Sequence, residues 1–303
     1  MPHFNSILAE IELVSQNGGN NPFDTVRHRY ISALHRHTNR NIICYYSAFL
    51  TAPNGASSLS IDDMDKNGLM NAVSEMDCNL GLDLILHTPG GSITAAESLV
   101  YYLTQKFGSN IRAIIPQMAM SAGTMLACAC KQIYMGNQSS LGPFDPLVRG
   151  VSAFSVFDEF RRAGDDIKKF PHMIPLWQSM LQKYPPAFLE ECERAIQLAR
   201  QLVPEWLRNA MFKDLPQQEA DHLIQTVMTT LNNPSETKEH SRHIHFDKAK
   251  SIGLNVSSLE EDQLLQECVL NVHHCYIASL SATKTAKIIE NHRGATFVLT
   301  LGS

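Results

Sequence analysis

The stretch "LDLILHTPGGSITAAESLVYYLTQKFGSNIRAIIPQMAMSAGTMLACACKQIYMG", residues 82–136, decides the fold. Its first part, "LDLILHTP" (82–89), is an apolar run with the character of a strand covered on both faces. "GGS" ends that run, and "ITAAESLVYYLTQKF" (93–107) reads as a helix. "IRAIIPQ" (111–117) is the next strand, residues 121–132 the next helix, and "QIYMG" (132–136) a short further strand. Strands and helices in alternation imply parallel strands joined by helical crossovers, an α/β fold.

The pattern extends both ways. Residues 1–40 read as helical, broken by the loop "QNGGNNPFD". "NIICYYSAFL" (41–50) is a strand, "TAPNGASSLS" (51–60) a loop, and "DDMDKNGLMNAVSEM" (62–76) an amphipathic helix with acids at its start. From 153 to 232 nearly everything is helical, punctuated by Pro185, Pro186 and Pro204, which suggests a helical insertion on the α/β core. "NNPSETKEHSRHIH" (232–245) is a polar loop, and "FDKAKSIGLNV" (246–256) a short helix, a Gly stop and an extended piece. "DQLLQECVLNVHHCYIASL" (262–280) and "SATKTAKIIEN" (281–291) read as helices, and "ATFVLTL" (295–301) as a final strand. The expected division is a helical segment (1–40), an α/β core with the nucleophile (41–150), a helical insertion or lid (151–239), and the rest of the core with a tail (240–303).

The 303 residues are 44% hydrophobic and 18% charged, enough apolar material for a large core. The net charge of −5 gives no reason to expect a nucleic-acid partner. "RHRYISALHRHTNR" (27–40) is locally basic but helical in period, and reads as a surface helix. Seven cysteines without paired metal spacing, and no secretory leader at the N-terminus, point to a reducing cytoplasm; Cys128 and Cys130 read as buried free thiols. No apolar run approaches the ~18–20 residues of a membrane span. No Gly-x-Gly-x-x-Gly follows a strand and no P-loop is present, so no cofactor is expected, and any ATP dependence would come from a partner.

In a parallel sheet the chemistry sits at the carboxyl ends of the strands. Two such loops are rich in small residues and open helices: "HTPGGS" (87–92) and "MAMSAG" (118–123). Gly90 and Gly91 expose backbone N–H groups that can hold a developing oxyanion, although on local features alone an ordinary tight turn after Pro89 is the preferred reading. Ser121 alone reads as a helix N-cap. Together, a diglycine and a serine at consecutive strand ends supply what acyl transfer needs: a nucleophile with N–H donors beside it, the second from Ala122.

"LDLILHTPGGSITAAESLVYYL", "IRAIIPQMAMSAGTMLACACKQIYMGNQSSLGPFDP" and "HSRHIHFDKAKSIGLNV" resemble the serine dehydrogenase proteinase family, a branch of the Clp-protease/crotonase superfamily that also holds the signal peptide peptidase A enzymes. The resemblance covers residues 40–148 well and 240–256 more loosely. It implies a Clp-protease/crotonase-like fold of repeated β-β-α and βαβ units with a mostly helical insertion. It further implies a serine peptidase that acts on a peptide or protein substrate and assembles as a homo-oligomer. Ser121 matches the nucleophile, and Gly91 with Ala122 the oxyanion donors, Gly90 standing beside them.

Serine needs a base. Where the Clp subunits place their histidine, this chain has "SSLGPFDPL" and Asp145, the candidate orienting carboxylate; on its own Asp145 reads as a turn residue before Pro146. The base then comes from elsewhere. His240 fits the spacing to the Gly-Leu stop best, ahead of His243, although relatives carry an aspartate after that histidine and this chain has Ser241. His240, His243 and His245 also suit a solvated loop; a metal is not expected of them, since no carboxylate or cysteine completes a ligand set. His87 is a further alternative base, and Lys168 or Lys169 would serve in a Ser–Lys mechanism. Two rival functions stay open: a crotonase-like acyl-CoA enzyme, which would not need Ser121, and a catalytically inactive peptidase-like scaffold.

Overall fold

A computed structural model describes residues 3–52 and 57–301. The loop read at 51–60 therefore lies in part outside the described residues, as do Met1 and Pro2 of the first helical segment. The strands are β1 (Asn41–Ser47), β2 (Leu82–His87), β3 (Ile111–Ile115), β4 (Met118–Ala119), β5 (Gln132–Met135), β6 (Ser140–Leu141), β7 (Leu147–Val148), β8 (Val151–Ser152), β9 (Val256–Ser258), β10 (Thr285–Asn291) and β11 (Thr296–Thr300). The helices are α1 (Phe4–Gln16), α2 (Pro22–Thr38), α3 (Asp65–Val73), α4 (Ile93–Phe107), α5 (Ala122–Cys128), α6 (Ala153–Lys169), α7 (Ile174–Leu181), α8 (Phe188–Asn209), α9 (Gln217–Leu231), α10 (Pro234–Thr237), α11 (Phe246–Ser251) and α12 (Gln263–Ala282).

The main sheet runs β11-β10-β1-β2-β3-β5-β9. β1, β2, β3, β5 and β9 are parallel; β10 and β11 are antiparallel additions at one edge. Alternation along β1 assigns its two faces. Ile43 and Tyr45 enter the core beneath α3, α4, α5, α8 and α9, whereas Ile42, Cys44 and Tyr46 enter the core beneath α2 and α12. All seven residues of β1 and all six of β2 are buried, as a sheet covered on both faces requires.

A buried charge cluster fixes the register of the parallel strands. Asp83 on β2 faces Arg112 on β3 directly, and Arg112 grips it through Nε (2.7 Å) and Nη2 (2.6 Å). Arg40, just ahead of β1, donates to the same carboxylate at 2.7 Å. Three strands are thus clipped at their amino ends. A slip of one residue in any of them would unpair a fully buried carboxylate.

Three expectations need correction. The helix read over 281–291 is wrong beyond Ala282: α12 ends there and β10 follows. Lys287 and Glu290 give that segment a helical charge spacing, but both are buried in the sheet with partners distant in sequence. Lys287 faces α3 and bonds Asp65, while Glu290 faces α2 and accepts from Arg27 at 3.0 Å. Pro204 does not punctuate the helical region; α8 runs through it. The ring removes one backbone hydrogen bond, and the buried Leu202, Val203, Trp206 and Leu207 around it keep the helix on the core. Finally, α2 is not simply a surface helix, because Val26, Arg27, Ile31 and Leu34 are buried.

The helical region also divides by packing. The second half of α8 and α9 join the main core, whereas α6 and the first half of α8 form a small core of their own around Val156, Phe188 and Cys192.

His87, the last residue of β2, is fully buried against the rings of Phe49, His273 and Tyr46, at centroid distances of 4.9, 5.3 and 5.4 Å. Neither ring nitrogen has a hydrogen-bond partner among the described residues. Burial pushes its pKa down to about 3. Between that value and the ~6.5 of an unfolded histidine, the unfolded chain binds a proton that the folded chain excludes. The stability tied to a neutral His87 is therefore complete above about pH 6.5 and is lost as pH falls toward 3.

Two predictions follow from this packing. Asp83→Ala leaves Arg40 and Arg112 without their shared carboxylate and should lower unfolding stability by about 3 kcal/mol in urea titration. In His87→Phe the loss of stability between pH 6.5 and 4 should be shallower than in the parent, by up to about 1.4 kcal/mol per pH unit. An unchanged acid slope would show that His87 does not contribute to it.

Candidate active site

At the carboxyl ends of β2 and β3 the chain leaves the main sheet and builds a second, narrow ladder. Thr88 N–H donates to the Met118 carbonyl (3.2 Å), and Met120 N–H to the Thr88 carbonyl (3.0 Å). β4 pairs in parallel with β6, Met118 against Ser140 and Ala119 against Leu141. Leu141 and Ile244 then exchange backbone bonds of 2.9 and 2.8 Å. Four chain segments far apart in sequence are so brought side by side. Each carries a candidate group just beyond its paired residues: Gly90 and Gly91, Ser121, Asp145, and His240.

Ser121 sits at a tight turn. Its φ of 52° and ψ of −120°, with the Gly123 N–H on the Met120 carbonyl at 2.8 Å, are those of the first central residue of a type II′ turn. Glycine normally occupies that position, and a serine there costs about 1–3 kcal/mol of backbone strain. The hydroxyl does not cap α5. The N-cap reading of Ser121 therefore fails, and its half-buried side chain is left facing a cavity.

The neighbours of this turn must be small. A Cβ on Gly90 (φ 95°) would fall 2.5 Å from the Met120 carbonyl oxygen and 2.6 Å from Ser121 Cβ. A Cβ on Gly91 would fall 2.4 Å from both the nitrogen and the oxygen of Ile61. Ile61 N–H donates to the Gly90 carbonyl (2.8 Å), and Ser92 N–H to the Ile61 carbonyl (2.9 Å). In a trans peptide the C=O and N–H point in opposite directions. With its carbonyl turned to Ile61, the Gly90–Gly91 peptide aims the Gly91 N–H away from Ile61. Among the described residues, neither that N–H nor the Ala122 N–H at the start of α5 donates to a protein acceptor. One of these unused donors belongs to the loop packed against Ser121, the other to the residue that follows it.

Asp145 is 1% exposed. One of its carboxylate oxygens meets His240 Nδ1 at 2.9 Å, and the other accepts from Ser152 Oγ at 3.3 Å. An Nδ1–H donated to Asp145 leaves His240 Nε2 as the free acceptor. His240 keeps 23% of its side chain exposed. It lines, with Ser121, Gly91, Met125, Phe144 and Leu198, a cavity of about 500 Å³. A larger cleft of about 840 Å³ touches α6, α8 and α9, but its charges are largely paired, Arg161 with Asp158 and Arg208 with Asp221.

The other predicted candidates lie elsewhere. His243 Nδ1 bonds Ser140 Oγ at 2.8 Å, and His245 Nδ1 is 3.1 Å from the Ser139 carbonyl. His87 is in the core behind the diglycine loop, and Lys168 and Lys169 are exposed in the last turn of α6. None of these lines the cavity. Sequence reasoning missed Ser152 behind Asp145 and Ile61 behind the diglycine. It also missed Thr124, whose hydroxyl ties the Ala119 carbonyl (2.8 Å) to the Gly142 N–H (2.9 Å). Nothing in their local sequence marks them, since a hydroxyl or an isoleucine backbone acquires such a role only through the turns that bring its partner to it. Cys128 and Cys130 are buried free thiols, and burial pushes Cys128 up to about 12. Among the described residues no helix is long and apolar enough to cross a membrane, and no group of three or more His, Cys, Asp or Glu could hold a metal ion.

The chain is 30% identical over 109 residues to the uncharacterized protein MJ1495 of Methanocaldococcus jannaschii, a match covering 36% of each chain. To the uncharacterized protein MJ0137 of the same organism it is 32% identical over 108 residues, covering 36% of this chain and 37% of the relative. The chain thus spans about a third of the length of the curated relatives it matches. A family model described as ClpP-like SDH-type serine proteinase matches residues 48–261, a span that holds the diglycine, Ser121, Asp145 and His240 together. With a mostly parallel sheet, and with a serine and two free N–H donors at its strand ends, the chain belongs to the ClpP-like, SDH-type serine proteinase family.

Proposed function

We propose that this protein is a serine peptidase that cleaves peptide bonds through an acyl-enzyme on Ser121. The observation that carries the reading is the strained II′ turn, which holds a serine that caps nothing beside the diglycine loop, with the Gly91 and Ala122 N–H groups unused among the described residues. His240 Nε2 takes the proton from Ser121 Oγ as the oxygen attacks the scissile carbonyl. The Gly91 and Ala122 N–H groups receive the oxyanion. Asp145 holds the imidazole in the Nδ1–H form and stabilises its charge while it carries the proton. His240 then protonates the leaving amine, and water repeats the sequence to release the acyl group.

The cavity wall formed by Met125, Phe144 and Leu198 suits a peptide segment with apolar side chains. Asp145 and His240 close a pair that a crotonase-like thioester enzyme would not need and an inactive scaffold would have no reason to build. Assembly as a homo-oligomer belongs to the same reading. Phe170, Ile174 and Leu176, each about half exposed at 53%, 46% and 52%, offer apolar surface for it. The seven free cysteines suit a cytoplasmic setting.

Ser121→Ala should abolish both peptide hydrolysis and labelling by a fluorophosphonate, with kcat down by on the order of 10⁶-fold. Hydrolysis that survives this change, measured on a quenched fluorescent peptide, would sink the proposal. Asp145→Asn should keep the fold but lower kcat by about 10³–10⁴-fold with little change in KM, because the wrong histidine tautomer is then favoured.

A further inference from the structure

Among the buried charges outside this machinery, one is tied to the loop beside the diglycine. Lys287 on β10 is 1% exposed, in the middle of a sheet where a lysine is costly. Its ammonium donates to Asp65 Oδ1 (2.6 Å), to the Ser60 carbonyl (2.8 Å) and to Asp62 Oδ2 (3.2 Å). All three of its protons are therefore placed, and none of the acceptors is a reacting group. Asp65, fully buried, uses its other oxygen to accept from Tyr45 Oη (2.7 Å) and from the Asp62 N–H (3.0 Å). Just ahead, Ser47 Oγ donates to the Leu59 carbonyl at 2.7 Å.

These bonds all converge on residues 59–65, and Ile61 lies between their anchor points. Ile61 is the residue whose N–H and C=O fix the peptide planes on either side of Gly91. A displacement of Ile61 turns the Gly90–Gly91 peptide, and with it the direction of the Gly91 N–H. The diglycine has no side chain of its own to resist that rotation.

We infer that Lys287 is a positioning residue: through Ser60, Asp62 and Asp65 it clamps the Ile61 strap against the diglycine and so aims the Gly91 N–H at the oxyanion position. This rests on the peptidase reading for its catalytic consequence, but not for the clamp itself. β1 separates β10 from β2 in the sheet and no β10 residue lines the cavity, so Lys287 reaches the site only through the strap that its ammonium holds.

The test uses the full chain. Lys287→Met alone leaves the buried Asp65 carboxylate without its cation and puts folding itself at risk, so the variant for measurement is Lys287→Met/Asp65→Asn, which removes both charges together. Hydrogen exchange should speed up by tenfold or more at the Ile61 and Ser92 amides, while the β2 amides keep their protection. On a fluorescent peptide, kcat should fall by about 10–100-fold with KM within about twofold, as expected of a donor that acts only in the transition state. Unchanged exchange at Ile61 and Ser92 overturns the inference. So does faster exchange there with unchanged kcat, and so does uniform acceleration that includes β2, which is the mark of general loosening. If the parent itself turns over no peptide and does not label at Ser121, the peptidase reading falls, and the exchange data alone decide whether Lys287 holds the strap.

Discussion

The short ladder beyond the carboxyl ends of β2 and β3 is the constraint on which the rest of the site depends. Each of its rungs is an ordinary backbone hydrogen bond, contributing about 1 kcal/mol net. Its effect lies in geometry rather than in energy. Thr88 against Met118 and Met120, β4 against β6, and Leu141 against Ile244 place four loops within reach of one another. Without those pairings the diglycine, Ser121, Asp145 and His240 would belong to loops of unrelated position. The main sheet serves the ladder in turn, because the Asp83 clip sets how far each strand extends before its loop begins.

Two kinds of close approach share the work around Ser121. Gly90 and Gly91 let main chain touch main chain, with Met120 on one side and Ile61 on the other. Gly123 lets α5 begin directly against Thr88, where a Cβ would lie 2.5 Å from the threonine methyl. The buried polar groups near these contacts carry partners: Thr124 serves two backbone groups, and Asp145 serves His240 and Ser152. His87 is the exception, a buried polar ring beside Tyr46, Phe49 and His273 whose nitrogens have no hydrogen-bond partner among the described residues.

Much of this was legible in the sequence, and the reasons are physical. The parallel strands were visible because β1, β2 and β3 are apolar on both faces, which leaves little ambiguity of period. The two glycine- and serine-bearing loops were visible only as a pair, since each alone is an ordinary turn or helix start, whereas at consecutive strand ends they supply a nucleophile and N–H donors together. β10 was missed because its buried charges are neutralised by Asp65 and Arg27, more than two hundred residues away along the chain. Its local pattern therefore described a different environment from the one it occupies. Ile61 and Ser152 were invisible for a related reason: an isoleucine backbone or a serine before a helix acquires a role only through what folds against it. The contact between His240 and Asp145 spans 95 positions, and spacing alone could rank His240 above His243 but not bring it to the carboxylate.

The turn at Ser121 has one more consequence, for how such a chain changes over time. The backbone there is shaped for an achiral residue, so the serine is held against the local preference of its own peptide unit. A lineage released from the need for a hydroxyl at this point would gain stability by exchanging it for glycine, and no neighbouring atom would have to move. On the proposed mechanism the serine is a metastable letter in the sequence, kept by its hydroxyl and not by how the protein folds. Its replacement by glycine in a descendant would be the natural fossil of a lost reaction.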